Sequence, residues 1–134
     1  PADRGAWYAA LNAETCVAEV GHHLTKALAD AGDFNAVVDY GEMLSSMAGV
    51  FVDLRQLPHH ASLNPDPVMG YPAGNAVAAA TRASGHNGII YPSVRYEGGT
   101  CIVALWPNVV QSVVQGAMYR LTWSGKPAFS VAAL

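Results

Sequence analysis

GHNGIIYPSVRYEGGTCIVALWP, residues 85–107, is the stretch on which the fold turns. Residues 89–91 form a short, wholly apolar run of the kind a buried strand needs. Residues 92–99 carry proline, serine and charge and end in Gly98-Gly99, so they read as a loop. Residues 100–106 return to a strongly apolar, β-branched pattern and predict a second strand. Upstream, residues 73–84 are alanine-rich with no interior proline and predict a helix closed by Gly85. Residues 59–70 are rich in Pro, Asn and Asp and read as a loop. Residues 50–54 (VFVDL) predict a strand, and residues 34–44 alternate more loosely toward the same end.

The N-terminal part repeats the strand-then-helix order. Residues 6–11 (AWYAAL) read as a short strand, and Asn12 follows as an N-cap with Glu14 in the first turn. Val17, Val20, Leu24 and Leu28 recur at helical spacing and predict a helix over 13–31, ended by Gly32. Thr15, Glu19, His22, His23 and Lys26 share another face of it. Downstream, residues 109–116 read as a helical turn or connector. Residues 119–123 and 129–134 read as strands across a turn at 124–127. Strands outnumber helices, and the order predicts an α+β (mixed α/β) fold over a single domain, residues 1–134.

Bulk properties narrow the function. At 134 residues the chain is long enough for a core that needs no disulfide or structural metal. With 51% hydrophobic and 13% charged residues it is globular rather than disordered, and its scant charge leaves apolar surface for a partner. The net charge is −3 and the basic residues are scattered, which argues against direct nucleic-acid binding. No apolar run is long enough to span a membrane. No signal-peptide pattern is visible, so the cytoplasm is the expected location. Cys16 and Cys101 each sit among apolar residues outside any ligand spacing and read as buried, reduced thiols.

Taken singly, the candidate residues are ambiguous. Glu19 reads as a solvated helix glutamate paired with His23 at i+4, or as a site carboxylate. His22-His23 and His59-His60 lack metal-ligand spacing, so no metal is expected. Ser93 stands at the exposed end of a buried strand, a common ligand position, yet it equally fits a turn serine bonding its own backbone. Of Trp7 and Tyr8, alternation sends one inward and leaves the other lining a face. The GxGxxG, GxxxxGK[ST] and GxSxG patterns are absent.

Two blocks together change that balance. WYAALNAETCVAEVGHH (residues 7–23) and the opening stretch (residues 85–107) resemble, in order and separation, the two core blocks of the RES-domain family. YPSVR followed by GG-x-C is the specific part. The resemblance implies a reduced ADP-ribosyltransferase-like fold, with a mainly antiparallel sheet and two principal helices. It implies an NAD-consuming toxin, acting by hydrolysis or phosphorolysis and neutralised by a helix-turn-helix (Xre-type) antitoxin. Protein ADP-ribosylation at the same pocket, or an inactive RES-like interaction module, are the alternatives. Carried over, Glu19 and Ser93 are the catalytic residues and Tyr8 lies at the NAD pocket. Arg95 serves the pyrophosphate or pins its loop through a surface ion pair. Arg4 is the one arginine near the family's first-block position, but its neighbours do not match, which places the family arginine upstream of Pro1. Trp106-Pro107 stands where relatives often have Arg-Pro, and reads as structural. NAD is expected as substrate with no further cofactor. Relatives and the apolar surface both point to a homodimer.

The chemistry suits one carboxylate. Breaking the nicotinamide–ribose bond passes through an oxocarbenium-like state. Nicotinamide departs from a cationic pyridinium and needs no proton, so a single Glu that stabilises positive charge is enough.

Overall fold

The computed structural model describes residues 5–134, so the expectation for Arg4 lies outside the described residues. The chain runs β1 (Trp7–Ala10), α1 (Ala13–Ala31), β2 (Asn35–Met47), β3 (Phe51–Asp53), α2 (Pro67–Ala83), β4 (Gly88–Pro92), β5 (Thr100–Ala104), β6 (Val110–Ser124) and β7 (Phe129–Ala133). Short 3-10 turns lie at Ala61–Leu63 and Pro107–Val109. Two helices and two mostly antiparallel sheets make this an α+β fold. Among the described residues, no helix is long and apolar enough to cross a membrane.

The first sheet has the order β1-β5-β4-β3. Its β1–β5 and β5–β4 pairs are antiparallel and its β3–β4 pair is parallel. Parallel neighbours need a long crossover, and α2 supplies it between β3 and β4. Tyr8, Val103 and Ile89 stand side by side across three strands, as do Ala10, Cys101 and Tyr91. Register therefore puts all six on one face. That face carries the main core, Leu54, Ile89, Val103 and Leu105, packed beneath Val77 and Ala78 of α2.

The second sheet has the order β2-β6-β7, all antiparallel. Helix α1 packs on it. Trp123 is buried, donates its indole N–H to Thr25 Oγ1 at 3.0 Å, and lies 4.9 Å from the Phe129 ring. Gly21 lets the helix approach closely, since a Cβ there would collide with the Phe129 ring. The buried positions of α1 are Thr15 and Gly21, while the Val17–Val20–Leu24–Leu28 stripe is only half-buried. The helix thus works with two faces, one toward each sheet. Its ends match expectation. Asn12 Oδ1 accepts from Thr15 N at 2.9 Å. At the other end Gly32, at φ +72, closes a Schellman-type cap with Asp33 N bonded to Leu28 O.

Three local expectations fail for physical reasons. Residues 110–116 are the first half of β6, paired with Met43–Met47, rather than a helical turn or connector. Register shifts at Gly41/Met43 and Leu44/Ser46 break the period-2 signal there, and Gln111–Gln115 are exposed. Helix α2 starts at Pro67, six residues before the alanine run, because Asp66 caps it through Val68 N and Pro67 sits where no N–H is needed. Pro72 inside its second turn hid that start. Cys16 is exposed rather than buried, because its neighbour Thr15 takes the inward direction and successive helical side chains diverge by about 100°.

Candidate functional site

The site forms where the N-terminal half of α1 meets the β4–β5 loop. Gly98 adopts φ +77, which favours glycine. Gly99 is required for a different reason: a Cβ there would strike the Thr15 side chain. The Gly-Gly pair thus bends the loop and lets it touch the helix. Thr15 is fully buried at that contact, its hydroxyl bonded to Asn12 Oδ1 at 2.7 Å. One turn further along the same helical face stands Glu19.

Glu19 Oε1 accepts a hydrogen bond from Ser93 Oγ at 2.6 Å. Ser93 Oγ in turn accepts from the backbone N–H groups of Arg95 and Tyr96, each at 3.1 Å. Both lone-pair directions of the hydroxyl are therefore occupied, and its proton is committed to the carboxylate. The distance is that of a charge-assisted bond. Ser93 is both of the things the sequence allowed, a turn serine and a partner of Glu19. Glu19 is not the solvated half of a pair with His23, since its carboxylate is turned to the loop instead.

Cys101 on β5 donates its thiol to the same Glu19 oxygen at 3.5 Å. Burial, and then the Glu19 carboxylate beside it, push this thiol up to about 12. Burial also pushes the Tyr91 phenol well above its ordinary value, with Cys101, Glu19 and Tyr8 adding to the effect. Both groups stay neutral at physiological pH, and neither competes with Glu19 as an anion. His22, one turn from Glu19, is held below its ordinary value by burial and then by Arg95 and His23, with Glu19 opposing.

Tyr8 and Tyr91 face a cavity of about 340 Å³ between α2 and the first sheet. Its floor is Ile89, Val103 and Leu105, and Tyr71, Asn75 and Arg82 of α2 form its opposite wall. That volume lies within the roughly 300–1,000 Å³ range of small-molecule pockets. Tyr91 links the cavity to the Glu19 cluster, because its strand partner is Cys101.

Tyr8 is 72% exposed and Trp7, on the opposite sheet face, is 38% exposed. Tyr8 is the residue of the pair that lines a face, that of the cavity, while Trp7 is not packed inward as alternation led one to expect. The reason is that β1 is an edge strand, covered from one side only. Arg95 donates to the Pro65 carbonyl at 3.3 Å, pinning the β4–β5 loop to the segment before α2 by a backbone contact rather than an ion pair. Trp106 donates its indole N–H to His86 O, in keeping with a structural role. His60 accepts from Ser62 N at the start of a 3-10 turn, and among the described residues no three metal-ligating side chains converge.

Cys101, expected as a buried thiol, is buried, but neither it, nor the Tyr91 side chain, nor Arg82 was expected as part of the site. Counting strand register inward from Gly99 would have put Cys101 opposite Tyr91. Nothing local marked Arg82, which reads as an ordinary cation in the last turn of a helix.

A family model described as RES domain matches residues 1–124. Neither the curated proteins nor the solved structures include one that matches the chain.

Proposed function

The chain belongs to the RES-domain family, and from that premise we propose that it cleaves the nicotinamide–ribose bond of NAD. RES domains are linked, at the level of the family, with toxin-like and NAD-processing roles. The observation that carries the reading is Glu19: a carboxylate aimed by a committed Ser93 proton, beside a tyrosine-lined cavity.

In the reaction the bond between ribose C1′ and the pyridinium nitrogen breaks, and its electron pair leaves with nicotinamide. The ring becomes neutral and positive charge moves onto the ribose. Glu19 stabilises that charge from a fixed position, so little reorganisation is needed as it develops. Water then bonds to C1′ and releases a proton, giving ADP-ribose. Phosphate in place of water gives the phosphorolysis product, and a protein nucleophile gives ADP-ribosylation. Ser93 acts as a positioning residue, holding one Glu19 oxygen. Tyr8 and Tyr91 offer ring faces to the substrate.

We further propose a helix-turn-helix antitoxin of the Xre type as the neutralising partner, and a homodimer. Exposed Val68, Met69 and Tyr71, on the first turns of α2 beside the cavity, support a covering partner at this face.

The test is to incubate the protein with NAD and follow free nicotinamide. Glu19→Ala is expected to slow release by about 10²-fold or more, the scale of losing one preorganised electrostatic group. Release as fast as wild type would overturn the mechanism.

A further inference from the structure

We infer that Arg82 is the anion receptor of the α2 cavity and holds the diphosphate of the dinucleotide, at the end of the cavity away from Glu19. This rests on the reading of the site as an NAD pocket.

Arg82 sits in the last turn of α2 and lines the same cavity as Tyr8, Tyr71 and Tyr91. Its Nη2 donates to Gly5 O at a long 3.4 Å. Its Nη1 is buried and has no hydrogen-bond partner, and among the described residues no carboxylate pairs with the guanidinium. The residue as a whole is half-buried, but a buried donor left without an acceptor is costly. No other buried side-chain nitrogen or oxygen among the described residues is left in this state. A planar guanidinium matches phosphate oxygens in particular.

Placement agrees with the ligand. Arg82 bonds Gly5, just before β1, and shares the cavity lining with Ala6, whereas the Glu19 cluster lies by Ala10, whose strand partner is Cys101. Four strand residues separate the two ends by about 13 Å. An extended dinucleotide with its nicotinamide ribose at Glu19 brings its diphosphate toward Arg82, with the tyrosines along its length. The cavity thereby selects a phosphorylated nucleoside over a neutral one.

Calorimetry with ADP-ribose and with adenosine, on wild type, Arg82→Gln and Arg82→Lys, tests this. Wild type is expected to prefer ADP-ribose. Arg82→Gln is expected to lose at least tenfold for ADP-ribose and to leave adenosine unchanged. Arg82→Lys should recover part of the loss, as a point charge without the fork. In turnover the Gln variant should raise KM for NAD far more than it lowers kcat. Equal ADP-ribose affinity in wild type and Arg82→Gln would overturn the inference. So would parallel loss of both ligands, which marks a collapsed cavity, or no ADP-ribose binding by wild type. Arg82-dependent ADP-ribose binding without any nicotinamide release would retain the receptor and refute the cleavage reading alone. If the Gln variant does not fold, Arg82→Lys decides: weaker ADP-ribose binding than wild type with adenosine unchanged is expected, and wild-type affinity for ADP-ribose would overturn the inference.

Discussion

Replacing Ser93 with alanine tests the geometry of the site without relying on its chemistry. The substitution removes the donor to Glu19 at 2.6 Å and the acceptor of two backbone N–H groups at 3.1 Å. A hydrogen bond to a charged group contributes about 1.5–3 kcal/mol, and the lower part of that range applies because both partners are only half-buried. The two freed N–H groups add about 1 kcal/mol, since Tyr96 is exposed enough for water to replace the hydroxyl. Ser93→Ala should therefore cost about 2–3 kcal/mol. With a urea slope of about 2 kcal/mol/M, the unfolding midpoint falls by about 1–1.5 M. The sharper quantity is the coupling in a cycle of wild type, Ser93→Ala, Glu19→Ala and the double variant. It isolates the hydroxyl–carboxylate bond and should be about 1.5 kcal/mol. A coupling below about 0.5 kcal/mol would refute the inference that the Ser93 proton is committed to Glu19.

Three further outcomes follow from the packing and the titrating groups. Gly21→Ala drives a methyl into the Phe129 ring and should destabilise the fold by about 1–3 kcal/mol, read as a lower Tm; an unchanged Tm would mean the α1–β7 contact is not close. At pH 8, iodoacetamide should modify exposed Cys16, though burial raises its thiol somewhat, far faster than Cys101, which is 2% exposed and whose thiol burial and Glu19 push up to about 12, until denaturant is added. Equal labelling rates in the folded protein would contradict the buried position beside Glu19. The His22 resonances should titrate with a midpoint below 6.5, chiefly from burial. The unfolded chain then binds the His22 proton more readily than the folded one, so this group's contribution to stability rises with pH up to about 6.5 and is lost on acidification. A midpoint at or above 6.5 would show that Glu19 outweighs burial and Arg95.

The order of elements was legible because each has a local cause. Asn12 and Gly32 bound α1 by capping chemistry, and the apolar runs at β4 and β5 are short, β-branched and flanked by Gly or Pro, as core strands are. Two signals misled. The residues from 110 to 116 pair on an exposed, bulged arm where alternation has no core to enforce it. The first turn of α2 is written in Pro and Gly, residues that ordinarily end helices, and is held by the Asp66 cap instead.

By itself, the sequence determined most of the segments that are helix or strand, because periodicity and capping depend on neighbours in the chain. Through its two core blocks it also pointed to Glu19, Ser93 and Tyr8. The tertiary structure alone decided how these meet. Glu19 and Ser93 are 74 positions apart, and only the docking of α1 on the β4–β5 loop brings them to 2.6 Å and sets the direction of the proton between them. Register placed Cys101 beside the same carboxylate, and the crossing of α2 over the sheet turned Arg82 into the cavity. Such contacts follow from the three-dimensional packing of distant segments, and the local pattern around each residue carries no trace of them.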